Sequence, residues 1–181
     1  MDYKKHSIFP EVIVFTPKVF SDERGYFFES YNETISSILK VQFLQENHSK
    51  SKKYVFRGFH YQWQPIIGKL LRVVSGRGLG VILDIRKSSP TYKQTAIIPL
   101  NDTTNQILWT PAGFAQGFLA LEDNTHLCYK CTSIRNEQFE GAIHPLSLDL
   151  DLNVNKESII LSEKDKNAML FEEYDKKPKF K

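Results

Sequence analysis

Short runs of alternating apolar and polar residues recur along the whole chain, and clusters of turn-forming residues separate them. Such runs, rich in Val, Ile, Phe and Tyr, are typical of strands in an all-β sandwich or barrel. The pattern therefore predicts an all-β fold of many short strands. The predicted strands are Glu11–Pro17, Tyr26–Tyr31, Val41–His48, Lys69–Val74, Gly80–Ile85, Thr95–Leu100, Gln106–Thr110, Gly117–Leu121, Thr125–Thr132 and Ser147–Leu150.

Two segments depart from strict alternation and predict short helices. Asn32–Leu39 begins with an Asn cap and has apolar residues at positions 35, 38 and 39. Ser162–Phe171 begins with Ser-Glu-Lys-Asp, which resembles a capping box. The charged end, about residues 172–181, contains Pro178 and is predicted to be a loose tail. Because no repeat or linker divides the sequence, residues 1–181 are predicted to form a single domain.

The composition excludes several classes of protein. With 181 residues, 41% of them hydrophobic, the chain is long enough to bury a core. The formal net charge of +3 is spread along the chain and does not form the basic block of a nucleic-acid-binding protein. We interpret the short basic run at residues 50–53 as a solvated loop. Neither a signal peptide nor a membrane span is visible, so we expect a cytoplasmic protein without nucleic-acid or membrane partners.

The two cysteines, Cys128 and Cys131, form a Cys-x-x-Cys motif that could indicate zinc or redox chemistry. A structural zinc site needs four ligands, and the sequence has no second cysteine pair. The segment is also a predicted strand, in which residues three apart face opposite sides, so the two sulfurs cannot easily meet. We therefore predict two reduced cysteines.

The candidate chemistry centres on the hexapeptide Arg57–Gln62, which combines a cation, a glycine and the imidazole of His60. On an unbroken strand, His60 and Gln62 would share one polar face. An isolated histidine on a strand is more often structural than catalytic. Lys69 and Arg72 on the following strand change that balance. Cations favour the neutral imidazole that a general base needs, and they also indicate an anionic ligand.

A series of short motifs surrounds this hexapeptide. In chain order they are Phe20–Asn32, Gln45–Ser51, Arg57–Gln62, Gly68–Arg72, Asp84–Thr91, Gln106–Phe118, Tyr129–Lys130 and Leu161–Asp165. Together and in this order they make the chain resemble the dTDP-4-dehydrorhamnose 3,5-epimerase family of cupin-fold sugar-nucleotide epimerases, from about residue 8 to residue 170. The resemblance implies a cupin-type jelly roll with short flanking helices, a homodimer, and no metal or other cofactor.

The residues themselves also argue against a metal. Metal-binding cupins place paired His and Glu ligands on one strand and a further His after a Pro-x-Gly turn. Here Tyr61 and Gln62 follow His60, where a second His would fall, and Gln116 follows the turn at residues 111–113. One imidazole and one amide do not make a transition-metal site.

The resemblance also implies a reaction. The family's substrate is a nucleotide-linked 4-keto sugar, whose ketone acidifies the C–H bonds at C3 and C5. Epimerisation removes a proton from one face of the ring and returns one to the other, which requires a base, an acid and a group that stabilises the enolate. By resemblance, His60 is the base, Asp165 orients its imidazole, Lys69 stabilises the enolate and Tyr129 is the acid.

The resemblance further implies a substrate-binding set. The nucleotide and phosphate cleft is expected to be lined by Arg24, Phe27, Glu29, Gln45, Asn47, Arg57 and Arg72, and Gln116 is expected to line the pocket. Arginine suits a diphosphate because its guanidinium group is a planar fork of donors.

The sequence departs from the family around this set. Gln116 replaces a usual His, Ile134-Arg135 stand where aromatic residues are common, and residues 142–146 replace a Trp-Asn-Asp run. These departures indicate an altered substrate with unaltered chemistry. The candidates are a dTDP-4-keto-6-deoxyhexose and a GDP-4-keto-heptose of capsule synthesis, epimerised at C3, C5 or both. A ketoisomerase and a non-catalytic sugar-binding jelly roll are the alternative functions.

Overall fold

The computed structural model describes all residues from Met1 to Lys181, and strands dominate it. The strands are β1 (Asp2–Lys5), β2 (Ile13–Thr16), β3 (Phe20–Asp22), β4 (Gly25–Phe27), β5 (Gln45–Ser51), β6 (Phe56–Gln62), β7 (Lys69–Ser75), β8 (Arg77–Asp84), β9 (Thr95–Asn101), β10 (Ile107–Thr110), β11 (Phe114–Ala120), β12 (Thr125–Cys131) and β13 (Glu140–Ala142). The helices are α1 (Glu33–Leu39), α2 (Glu163–Lys166) and α3 (Phe171–Lys176). Single 3₁₀ turns cover Glu137–Phe139, Pro145–Ser147 and Lys156–Ser158.

The strands form two large antiparallel sheets and a separate hairpin. The six-stranded sheet has the order β1-β2-β10-β7-β12-β5, the five-stranded sheet has the order β13-β6-β11-β8-β9, and β3 pairs with β4 alone. Because strands adjacent in sequence, such as β6 and β7, lie in different sheets, the chain crosses repeatedly between them. This arrangement confirms the predicted all-β jelly roll with short flanking helices.

The space between the two sheets holds the main core. Leu71 and Val73 from the six-stranded sheet and Ile82, Ile98 and Phe118 from the five-stranded sheet are buried in one cluster. Burial of an apolar side chain of this size stabilises the fold by about 1.5–3 kcal/mol. The inward-facing positions of both sheets therefore hold the sheets together.

Helix α1 covers the outer face of the six-stranded sheet. Ile35 of this helix is buried against Phe15 and Trp109. The amide of Ile35 donates to the Asn32 side chain, as the predicted N-cap requires.

The C-terminal segment covers the outer face of the five-stranded sheet, so the predicted loose tail is not observed. Phe171 and Tyr174 of α3 are buried there, and the Tyr174 hydroxyl donates to the carbonyl of Ile85 at 2.9 Å. Two aromatic side chains thus anchor a segment whose many charges indicated a solvated tail.

Other predicted elements also differ from the structure. Only Tyr26–Phe27 of the predicted strand Tyr26–Tyr31 and only Gln45–His48 of the predicted strand Val41–His48 are in strands. The predicted strand Ser147–Leu150 is wrong, because Pro145–Ser147 form a 3₁₀ turn in which Pro145 takes an early helical position. The predicted helix Ser162–Phe171 breaks into α2 and the start of α3. Both cysteines are free, as predicted. None of the helices combines the length and apolar character that a membrane crossing requires.

Candidate active site

A cavity of about 220 Å³ between the two sheets brings the four predicted catalytic residues together. Its polar lining includes His60, Lys69, Tyr129 and Asp165, and also Arg57 and Gln116 from the predicted binding set. Leu71, Phe118 and Leu127 supply apolar surface. The described residues contain no group of three or more His, Cys, Asp or Glu side chains able to hold a metal ion.

A β-bulge at Gly58 orients the hexapeptide. His60 pairs with Gln116 and Arg57 pairs with Phe118, so two residues of β6 oppose one residue of β11 between these pairs. On an unbroken strand, residues three apart would face opposite sides. The extra residue lets both Arg57 and His60 line the cavity. Gly58 has φ +114°, a backbone conformation that favours glycine.

His60 forms a hydrogen-bonded pair with Asp165. Its Nε2 atom lies 2.6 Å from Oδ1 of Asp165, although 105 positions separate the two residues. The other carboxylate oxygen accepts a hydrogen bond of 2.9 Å from the Ser162 hydroxyl. Ser162 is also the N-cap of α2, so the start of this short helix holds the carboxylate in place. The Asp165 side chain is only 4% exposed and that of His60 is 26% exposed.

The charge state of Asp165 determines which atom of the His60–Asp165 pair carries the shared proton. Burial raises the pKa of Asp165, but the hydrogen bonds from His60 and Ser162 outweigh it and hold the pKa below the ordinary value. An ionised carboxylate can only accept, so Nε2 of His60 carries the proton that the pair shares. In the neutral form of this imidazole, Nδ1 has a free lone pair, as a general base requires.

Lys69 and Tyr129 lie on the opposite wall of the cavity. The Nζ atom of Lys69 is 5.7 Å from the centre of the Tyr129 ring. Burial lowers the pKa of Lys69, and the neighbouring Cys131 acts in the opposite direction. Burial and Cys131 both raise the pKa of Tyr129. The phenol therefore stays protonated at neutral pH and is able to donate.

The predicted nucleotide-binding residues on β5 and β6 lie beside the cavity. Gln45 donates from Nε2 to Oδ1 of Asn47 at 2.8 Å. The guanidinium of Arg57 donates to the Ser51 hydroxyl and to the Lys50 carbonyl, each at 3.0 Å. Arg57 forms no salt bridge within the chain, so its charge is available to an anionic ligand.

Of the eight predicted binding residues, only Arg57 and Gln116 line the cavity. Gln45 and Asn47 lie beside it, and the other four are placed elsewhere on the chain. Arg72 lines a separate surface pocket with Cys128 on the outer face of the six-stranded sheet. Arg24 is paired with Asp22 in the β3–β4 hairpin. The Phe27 and Glu29 positions are outside the cavity lining, and Phe27 is 66% exposed.

Three side chains at the site were not identified from the sequence. Ser162 was predicted as a cap, but its bond to the Asp165 carboxylate is visible only in three dimensions. Cys131 pairs with Lys69 in the ladder and accepts a 3.6 Å hydrogen bond from Asn47. Strand alternation predicts that one cysteine of the motif faces the core and the other faces away from it, but it does not predict that Cys131 is the one that faces the core. Ser49 lines the cavity, and its sequence context gave no signal.

Comparisons with known proteins identify the family. The sequence model for dTDP-4-dehydrorhamnose 3,5-epimerase matches residues 6–173. The dTDP-4-dehydrorhamnose 3,5-epimerase of Shigella flexneri is 41% identical over 170 residues, which cover 92% of this chain and 94% of the relative.

Two solved structures are similar throughout. The dTDP-6-deoxy-D-glucose-3,5-epimerase of Legionella pneumophila, in complex with dTDP-4-keto-L-rhamnose, has a TM-score of 0.89 and 35% identity, covering 94% of this chain and 93% of that one. A 3'-monoepimerase of Streptomyces bikiniensis, in complex with dTDP-quinovose, has a TM-score of 0.87 and 29% identity. The match covers 95% of this chain and 89% of that one. The chain belongs to the dTDP-4-dehydrorhamnose 3,5-epimerase family, a family of isomerases.

Proposed function

We propose that the protein inverts both C3 and C5 of a dTDP-linked 4-keto-6-deoxyhexose. The observation that carries this proposal is the placement of a base and an acid on facing sheets. His60 comes from β6 of the five-stranded sheet and Tyr129 from β12 of the six-stranded sheet, and both line one cavity. A sugar ring between them has one face toward each group.

In the proposed reaction, Nδ1 of His60 removes the proton from the carbon beside the ketone. The electron pair of the broken C–H bond moves onto the keto oxygen and forms an enolate, which the Lys69 ammonium stabilises. Tyr129 then donates its proton to the opposite face of the same carbon, and the ketone re-forms. Solvent removes the proton from His60 and returns one to Tyr129.

The Asp165 carboxylate supports the first step, because its negative charge stabilises the imidazolium that forms on His60. The pKa of Asp165 is held low, so the carboxylate stays charged at neutral pH. Lys69 supports the second step, because its charge lies close to the phenolate that Tyr129 becomes. Each charge created in the reaction thus has an opposite charge beside it.

The size of the cavity fits a sugar ring with the nucleotide outside. Its volume of about 220 Å³ is below the roughly 300–1,000 Å³ of sites that enclose whole small molecules. Arg57 spans the gap from β6 to the end of β5, where a diphosphate linked to the sugar would leave the cavity. The dTDP-sugars in the related structures support a thymidine nucleotide, and GDP-4-keto-heptose is the alternative substrate.

We also propose that the site is completed in a homodimer. The β3–β4 hairpin exposes three aromatic side chains, those of Phe20, Tyr26 and Phe27. The family resemblance assigns Arg24 and Phe27 to the nucleotide cleft, yet they lie outside the cavity of their own chain. In the proposed dimer, the β3–β4 hairpin of each subunit lies at the cavity of the other subunit.

Mixing two inactive variants tests the homodimer. A subunit carrying His60→Ala still has a normal hairpin, and a subunit carrying Phe27→Ala still has a normal cavity. Refolding the two together would create one complete site in each mixed dimer, so we expect activity to return. A mixture as inactive as its components would contradict a shared site.

The reaction itself is tested by incubation with dTDP- and GDP-linked 4-keto sugars in D₂O, followed by NMR. We expect deuterium at C3 and C5 of the dTDP sugar and no exchange with His60→Ala. Exchange at C3 alone would show a 3-epimerase, and a 3-keto product would show a ketoisomerase. Turnover of the GDP sugar alone would reverse the nucleotide assignment, and full activity of His60→Ala would overturn the catalytic proposal.

A further inference from the structure

Gln62 is buried at the end of β6, two residues after His60, and its amide bonds only to backbone of neighbouring loops. The residue is 3% exposed and is not part of the cavity lining. Its Nε2 atom donates to the carbonyls of Pro65 at 2.8 Å and Ile134 at 3.1 Å. Its Oε1 atom accepts from the backbone amide of Asn136 at 2.7 Å. These three bonds use both N–H groups and the oxygen of the side chain.

The three bonds hold two segments that lie next to the catalytic strands. Residues 63–68 connect β6 to Lys69, the first residue of β7, and residues 132–136 follow directly after β12. The two segments are also bonded to each other. The amide of Gly68 donates to Oγ1 of Thr132 at 2.8 Å, and the amide of Thr132 donates to the carbonyl of Gly68 at 3.0 Å. The strand of the proposed base is thus tied to the start of the strand that carries Lys69.

The segment after β12 is held from both sheets. The amide of Arg135 donates to Oε1 of Gln45 at 2.9 Å, and the next amide, that of Asn136, donates to Oε1 of Gln62. Gln45 belongs to β5 of the six-stranded sheet and Gln62 to β6 of the five-stranded sheet. The segment therefore bridges the two sheets and helps to set the spacing of the walls that carry Lys69 and His60.

The side chain of Lys69 depends on this support, because its ammonium makes no hydrogen bond or salt bridge within the chain. Lys69 pairs with Thr110 on one side and Cys131 on the other. It is the first residue of β7, so the segments held by Gln62 support its backbone on the N-terminal side. The position of that backbone determines where the charge of Lys69 can lie.

Several charged or titratable groups act on Lys69. Burial is the largest influence and lowers its pKa; Lys164 and Arg135 lower the pKa further, whereas Cys131 and Glu140 raise it. The other such groups in the cavity are Arg57, His60, Tyr129 and Asp165. Arg135 belongs to the segment that Gln62 holds. Loosening this segment would admit water and move a cation away from Lys69, and both changes would raise the lysine pKa.

We propose that Gln62 is a positioning residue that holds the Lys69 ammonium at the distance from His60 that the enolate requires. This inference rests on the proposed function and deepens it. Gln62 acts through the backbone of two segments and does not contact the substrate. A displacement of about 1 Å in a catalytic group can reduce the rate about 100-fold, so loss of these bonds should affect the reaction as well as the fold.

Gln62→Met tests the proposal, because methionine has a similar length and makes none of the three bonds. The variant and the wild type would be assayed from neutral to alkaline pH with the dTDP-4-keto sugar. We expect kcat to fall about 10- to 100-fold with a much smaller change in KM, because Lys69 acts mainly on the enolate. We also expect the alkaline limb to move to higher pH, toward the ordinary lysine pKa of about 10.4.

Tyr174→Phe is the matched control. The Tyr174 hydroxyl also makes three bonds to backbone, donating to the carbonyl of Ile85 and accepting from the amides of Lys179 and Phe180. These bonds lie on the outer face of the five-stranded sheet, away from the cavity. The control should lower the melting temperature and leave kcat and the alkaline limb unchanged.

Two results would overturn the inference. One is a Gln62→Met variant that is destabilised like the control but keeps the wild-type kcat, and the other is a lower kcat with an unmoved alkaline limb. If thermal melts show that Gln62→Met does not fold, Thr132→Val takes its place, because it removes only the bond from Gly68 to the hydroxyl. Wild-type protein inactive on every 4-keto sugar overturns the proposed function, whereas active wild type with either of the two results overturns this inference alone.

Discussion

A Cβ atom on Gly58 would lie 2.4 Å from the backbone oxygen of Gln116. The backbone of β11 lies directly against Gly58 at the bulge, and only a residue without a side chain fits there. The same bulge lets Arg57 and His60 face one cavity. The geometry of the site and the stability of the sheet therefore depend on the same glycine.

We expect Gly58→Ala to destabilise the protein by about 2–5 kcal/mol, because a positive φ and a clash with backbone both oppose the added methyl. This corresponds to a fall in melting temperature of roughly 4–20 °C. Gly25→Ala is the matched control, since Gly25 has φ +124° but nothing within 4 Å of an added Cβ. Equal losses in the two variants would show that backbone conformation alone, and not the close approach, requires glycine at position 58.

Asp165→Asn tests the proton assignment in the His60 pair. The amide can donate to Nε2, which would move the imidazole proton to Nδ1 and block the base. We expect kcat to fall about 10²- to 10⁴-fold with little change in fold. Ser162→Ala removes only one bond to the carboxylate, so its loss should be much smaller. Near-normal turnover by Asp165→Asn would show that the carboxylate is not needed to orient His60.

Tyr129→Phe separates the two halves of the proposed reaction. His60 can still remove the proton and return a deuteron from solvent to the same face, whereas the opposite face has lost its acid. We expect deuterium to enter the substrate with retained configuration while the epimerised product falls at least about 100-fold. NMR of the recovered sugar distinguishes the two outcomes. Inversion at the wild-type rate would assign the acid to another group.

The strands of this fold could be predicted closely where alternation is regular. The predicted strands Lys69–Val74 and Thr95–Leu100 each end one residue short of the observed strands. The bulge at Gly58 could not be predicted in this way, because a single extra residue reverses the faces of all that follows it. Unbroken alternation places Arg57 and His60 on opposite faces, and the structure places them on one.

The partnership of His60 with Asp165 shows a second limit of the sequence. No local pattern links residues 105 positions apart, and the acidic residue alone could equally be a favourable charge in the first turn of a helix. Among the features of the sequence, only the family resemblance links the two residues. The position of Tyr174 is hard to predict for a related reason. Burial of this aromatic side chain stabilises the C-terminal segment against the sheet, although most residues around it are charged.

Lys69 should set the alkaline limit of activity. Burial lowers the pKa of this ammonium and raises the pKa of Tyr129, so both shifts favour loss of the lysine proton before the tyrosine proton as pH rises. We expect kcat to fall at a pH below the ordinary lysine pKa of about 10.4. Lys69→Arg should move this fall to higher pH, because a guanidinium stays charged throughout. An unmoved alkaline limb in the arginine variant would assign the titration to a different group.

Glu140 should make the stability of the protein depend on pH in the acidic range. Burial raises the pKa of its carboxyl, but Arg135 at 2.9 Å and Lys164 at 2.5 Å outweigh it and lower the pKa from 4.5 to about 2. Lys164 belongs to α2, the helix that carries Asp165, so this cluster ties α2 to β13. Because folding depresses the pKa, the stabilisation is full above about pH 4.5 and disappears as pH falls toward about 2.

We therefore expect Glu140→Gln to reduce the free energy of unfolding by about 1–3 kcal/mol at pH 7, a range that allows for the half-exposed cations. The difference from wild type should shrink in denaturant titrations between pH 4.5 and pH 2, where the wild-type carboxyl loses its advantage. Glu163→Gln is the matched control, because Glu163 lies on the same helix as Lys164 but is 81% exposed and pairs only with Lys166. A constant difference across this pH range would show that Glu140 stabilises the fold through packing and not through its charge.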